Sequence, residues 1–171
     1  MMEANSEELR LYFQNIQGTP TNKNNKHKMK VLNQRLDKVQ AAVLLETGAT
    51  DSQKIWTCHD NFSTGQINPM TKIEKEQYQH LGAGTAILYQ KGTLMQNITA
   101  EINNEKQIFQ LLCTKDKDGQ SRRLVIGGIQ AANINNNKKW EDIEETLIFL
   151  DKRYNHPCCI HIDVNNDITS E

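Results

Sequence analysis

At 171 residues the chain has room for one domain with a real core and falls short of two comfortable ones. Hydrophobic residues make up 37% and charged residues 24%, as in a soluble globular protein somewhat rich in polar side chains, and no apolar run approaches membrane-spanning length. The net charge of -1 excludes a chain-wide attraction to polyanions. Charge is uneven all the same: Lys23, Lys26, Lys28 and Lys30 form a basic run around His27, and acid gathers at Glu141, Asp142, Glu144 and Glu145. A basic run can meet phosphates, though such runs are more often a solvated helix face. The four cysteines contain no Cys-x-x-Cys pair, so a zinc site has little support. Met1 to Arg10 is polar and acidic, unlike a signal peptide, and an intracellular, reducing location is expected, with nucleus and cytoplasm not distinguished.

From Leu9 to Gln17 the residues alternate, with Leu9, Leu11 and Phe13 on one side, which predicts a strand running into the turn Gly18-Thr19-Pro20. Asn15 continues the apolar side of that strand. A polar group there needs a partner: loop backbone, or a functional role. Met29, Leu32, Leu36 and Val39 step by three, four and three, predicting a helix over Lys26–Gln40. Ala41 to Leu45 is wholly apolar, as in a strand buried on both faces. Strand, helix and strand in so short a span predict a crossover unit with parallel strands. Glu46 then lies at the C-terminal edge of its strand, where catalytic groups gather in layered α/β proteins, or where a carboxylate simply meets water.

Ile55 to Cys58 reads as a short strand, Ile73 to Tyr78 as a helical turn, and the rest of 59–82 has no clear pattern. Gly82 to Tyr89 is a strand approached through glycines. Its Gly-x-Gly lacks a following Lys-Ser/Thr and a helix, which argues against a nucleotide loop. Met95–Ile102, Gln107–Thr114 and Arg122–Gln130 predict an antiparallel meander joined by turns at 103–105 and 116–119.

Trp140, Ile143, Leu147, Leu150 and Tyr154 give the strongest helical period in the chain. The acidic cluster at its start and Lys152-Arg153 at its end match the helix dipole, which accounts for the acids without a metal. After Pro157, Cys158 to Ile162 reads as a short buried strand. Asp163 and Asn165 stand two apart at its end and point the same way. They either cap the strand and start a turn, or aim at a ligand. His156 and His161 could be imagined as metal ligands with Asp163, but scattered histidines favour chance.

These strand ends, in this order, resemble the exonuclease-endonuclease-phosphatase superfamily, which includes DNase I and apurinic endonucleases. The likeness is strongest to the endonuclease domain of non-LTR retrotransposons. It rests on Asn15-Ile16-Gln17-Gly18, Leu45-Glu46-Thr47, the glycine-led strand from Gly82 to Lys91, and Asp163-Val164-Asn165 after an amphipathic helix. The resemblance implies a mixed α/β (α+β) fold: a two-layer β-sandwich flanked by helices, a single partial domain over 1–171 that is incomplete at its C-terminus. It implies Mg²⁺-dependent hydrolysis of phosphodiesters in DNA, with Asn15, Glu46, Asp163 and Asn165 as catalytic residues. Glu46 would hold the metal. Asp163 would orient or deprotonate water, and the two asparagines would fix the geometry.

Three departures stand out. The place of the family's active-site tyrosine reads Ile129-Gln130-Ala131-Ala132-Asn133, so the tyrosine is missing. The two glycines that commonly precede the Asp are His161 and Ile162, which should crowd the backbone. The family's second half, with further catalytic residues, has no counterpart here. One sheet should therefore carry a bare apolar face, covered by a partner chain or by self-association. An alternative to a nicking endonuclease is an inactive descendant serving as a binding or structural subunit; a weaker third reading is a phosphatase of small phosphoesters.

Overall fold

The computed structural model describes residues 9–16, 26–48, 62–68, 84–91, 93–98, 102, 106–115, 118–132 and 137–165. In chain order they form β1 (Leu11–Asn15), α1 (Lys26–Leu36), β2 (Ala41–Leu45), β3 (Phe62–Asn68), β4 (Thr85–Gln90), β5 (Leu94–Asn97), β6 (Gln107–Lys115), β7 (Ser121–Ala132), α2 (Asn137–Tyr154) and β8 (Cys158–Asn165). Two four-stranded sheets result, ordered β1-β2-β4-β3 and β5-β6-β7-β8. Both expected features of the crossover are present: β1 and β2 are parallel, with Asn15 opposite Leu45. A second unit of the same kind joins β7, α2 and β8, with Gln130 opposite Asp163 in a parallel ladder. The expected meander is β5-β6-β7, antiparallel throughout.

Period-two alternation divides the core. Ala41, Val43 and Ile87 meet Ile108, Leu112 and Ile126 between the sheets, with Leu11 and Phe13 at the margin. Ala42, Leu44 and Leu88 turn the other way, onto Leu32 and Leu36 of α1. Phe109, Leu111, Val125 and Ile129 likewise turn onto Ile143 and Leu150 of α2. The order is therefore helix, sheet, sheet, helix. The bare apolar sheet face expected from the sequence is not found among the described residues, because α1 and α2 each cover an outer face. What lies open is instead an edge of each sheet, at β1 and at β8.

Several boundaries moved for local reasons. α1 stops at Leu36 and not at Gln40. The Gln40 N–H donates to the Arg10 carbonyl, and the Gln40 carbonyl accepts from Gln90, so this residue is already part of the sheet. α2 begins at Asn137, which leaves no acid in its first turn. The acidic cluster thus sits beyond the part of the helix where the dipole acts most strongly, and only the Lys152-Arg153 end of that expectation stands. Asn155, at φ 49°, ends the helix in a left-handed cap, its N–H donating to the Asp151 carbonyl. The segment from Cys158 is not a buried strand. Cys158 is exposed and Cys159 to Asp163 only half-buried, because β8 pairs on one side alone. Its ladder with β7 carries it on to Asn165. β3 falls inside the stretch that showed no pattern. The strand expected at Ile55–Cys58 and the turn at Ile73–Tyr78 lie outside the described residues.

Candidate functional site

Asn15, Glu46, Gln130 and Asp163 meet at one end of the sandwich, where both parallel pairs finish. The alternation that places Leu11 and Phe13 between the sheets places Asn15 there too. Its Nδ2 donates to Oδ2 of Asp163, across the gap from β1 to β8, at 2.5 Å. Immediately below, Phe13 and His161 stack with ring centroids 6.1 Å apart and planes 29° apart. His161 therefore does not crowd the backbone, as its place in the motif suggested. It packs onto a ring that the facing edge strand supplies, and adds a second bridge between β1 and β8.

Glu46 reaches the site by a backbone reversal. Leu45 faces the other sheet, so strict alternation would turn Glu46 toward α1. Glu46 instead adopts φ 53°, a left-handed conformation that side-chain-bearing residues seldom take. The Thr47 N–H then donates to the Gly84 carbonyl at 3.0 Å, and the Ile16 N–H to the Leu45 carbonyl at 3.0 Å, which holds the turn from both sides. The carboxylate ends up 7% exposed, with Oε1 accepting from Nε2 of Gln130 at 2.8 Å. Strain of this kind gathers at functional sites.

Gln130 is the residue that sequence reasoning passed over, having noted only a lost tyrosine. A signal for it exists. Leu124, Ile126 and Gly128 precede it on the same face of β7, so Gln130 is a polar residue continuing an apolar row to a strand end, as Asn15 is. Gly127 and Gly128 let β7 lie close enough. A Cβ at Gly128 would come within 2.9 Å of Leu45 Cδ2 and of Val43 Cγ1, and one at Gly127 within 2.3 Å of Phe109 Cδ1 and 2.5 Å of the Ile108 carbonyl oxygen.

The result is two carboxamide–carboxylate pairs, each crossing between sheets in the opposite sense. Asn15 of the first sheet holds Asp163 of the second, and Gln130 of the second holds Glu46 of the first. Asn165 ends β8 in register with Ala132. The donors offered are carboxylate and amide oxygens, which suit a hard cation. Among the described residues no group of three or more His, Cys, Asp or Glu forms a metal cluster. Cys158 lies away from this end, and burial together with Asp151 pushes its thiol up, so it is no thiolate nucleophile. No helix among the described residues is long and apolar enough to cross a membrane.

No family model matches the chain. No curated protein matches it either. Among solved structures, the human Nocturnin catalytic domain with bound sulfate superposes with a TM-score of 0.52 at 12% identity. The match covers 95% of this chain and 66% of that domain, so the chain spans less than two thirds of the domain's length. The AP endonuclease LMAP from Leishmania major gives a TM-score of 0.46 at 13% identity over 70% of this chain and 39% of that one, an overlap too loose to carry an argument. The mixed α+β sandwich described above is thus the fold of the endonuclease/exonuclease/phosphatase superfamily.

Proposed function

We propose that the chain carries the catalytic end of a metal-dependent phosphodiester hydrolase that nicks DNA, of the kind found in retrotransposons. The observation that carries this reading is the meeting of Glu46 and Asp163, each held by a carboxamide from the opposite sheet. The retrotransposon assignment rests on the short motifs around Asn15, Glu46 and Asp163-Val164-Asn165 alone. Mg²⁺ binds through one or two carboxylates and keeps several waters, so Glu46 with Asp163 nearby is a fitting donor set even without a third acidic residue. Bound there, the ion would supply charge stabilisation at the scissile phosphate and the leaving oxygen.

The chain's own groups do the rest. Glu46 holds the cation. Asp163, oriented through Oδ2 by Asn15, keeps its other oxygen to accept the proton of the attacking water. Asn15, and Asn165 at the end of β8, fix the geometry in which phosphate and water meet. In a β-α-β crossover the helix returns antiparallel to its strands, so α1 starts at this same end with Lys26, Lys28 and Lys30. Burial pushes the Lys28 ammonium down, and Lys30 is exposed, so Lys30 is the better phosphate contact.

A second reading, an inactive descendant that binds without cleaving, is favoured by Gln130 in the tyrosine's place and by coverage of only 66% of the Nocturnin domain. Nicking of supercoiled plasmid with Mg²⁺ separates the two. The catalytic reading expects nicking that falls at least about 100-fold in both Glu46→Ala and Asp163→Ala. Metal-independent DNA binding with no nicking would support the inactive subunit. Turnover of inositol phosphates in preference to plain or abasic DNA would refute the nuclease assignment.

A further inference from the structure

We infer that Gln130 is the positioning residue for Glu46, and that its amide takes one carboxylate oxygen so that a cation meets Glu46 through the other alone. The inference rests on the metal-dependent reading of the site. It follows from three observations that are independent of that reading. First, Gln130 Nε2 donates to Glu46 Oε1 at 2.8 Å across the sheets, between residues 84 apart in the chain. Second, Glu46 sits in a left-handed turn at φ 53°, so its backbone alone leaves the direction of the carboxylate to whatever the side chain meets. Third, Gly127 and Gly128 bring β7 against both neighbouring layers just before Gln130, which sets how far its amide must reach.

A carboxylate with both oxygens free can rotate or chelate a cation with both. With Oε1 occupied by an N–H, rotation is restrained and the cation contact is through Oε2. This suits Mg²⁺, which demands regular octahedral geometry and tolerates bidentate carboxylates less well than Ca²⁺ does. Partners that orient a metal-binding side chain typically change metal affinity 10- to 100-fold when removed, about the range expected here. An amide also donates without gaining or losing a proton, so the restraint holds at any pH where the fold persists. In this chain Gln130 therefore does more than fill the space of an absent ring.

Mn²⁺ titration followed by the electron paramagnetic resonance signal of the free ion tests the inference without recourse to activity. Gln130→Met keeps chain length and bulk while removing the donor, and it should weaken Mn²⁺ binding about tenfold or more. The same change should still cost that factor in an Asp163→Asn background, since Gln130 does not act through Asp163. In a Glu46→Gln background it should cost nothing further, because its target is gone. A merely structural role would weaken binding equally in both backgrounds and would overturn the inference. Equal binding by wild type and Gln130→Met would overturn it too, leaving the metal reading intact. A wild type that binds no Mn²⁺ would overturn the metal reading and this inference together.

Discussion

Replacing Glu46 by glycine and, separately, by alanine isolates the backbone reversal that delivers the carboxylate. Both changes delete the carboxylate and its bond to Gln130, so their difference reports the conformation at φ 53° and little else. A left-handed residue with a Cβ costs about 1–2 kcal/mol more than glycine. Glycine loses about 0.4–1 kcal/mol more on folding through the freedom of its unfolded chain. The balance favours Glu46→Gly over Glu46→Ala by roughly 0.5–1 kcal/mol, the reverse of the order in an ordinary strand, where alanine wins by about 0.5–1 kcal/mol. With an m-value near 2 kcal/mol/M, the urea midpoint of the glycine variant should lie about 0.3–0.5 M above that of the alanine variant. In a chain of this size the melting temperature should differ by about 1–4 °C. Alanine equal to or more stable than glycine would refute the reversal, and with it the path by which Glu46 reaches Gln130.

Two further outcomes follow from the same geometry. Gly127→Ala should destabilise by about 3 kcal/mol, because its Cβ meets a backbone carbonyl at 2.5 Å, while Gly128→Ala should cost less, about 1 kcal/mol, because it meets only the tips of Leu45 and Val43. Equal midpoints for the two in urea would count against the close approach on the α2 side. The open edges of β1 and β8, with exposed Leu9 and Val164 beside them, are where a completing chain or a second copy would add strands. Self-association is expected in sedimentation at micromolar concentration, and a clean monomer there would argue against it.

Much of the molecule could be read directly from the residues. The apolar run Ala41–Leu45 is buried on both faces, and the period of Trp140 to Tyr154 marks a helix, because each pattern repeats within a few residues and reflects the geometry of its own element. Asn15 and Asp163 were legible as polar residues ending strands on a definite face. Glu46 was legible only as a residue at a strand end, since alternation would have turned it away from the gap that it occupies. β3 was not legible at all, having no apolar alternation to show.

Local pattern by itself determined the elements, the two crossover units and three of the four residues now found together. Tertiary pairing alone decided which strands lie at an edge, and so why Cys158 is exposed and not buried. It also decided that His161 stacks on Phe13, and that Gln130 holds Glu46 from 84 residues away. The physical reason is the range of the forces. Propensity and periodicity act over a turn or a strand, whereas a hydrogen bond between two sheets exists only once both have closed on a shared core.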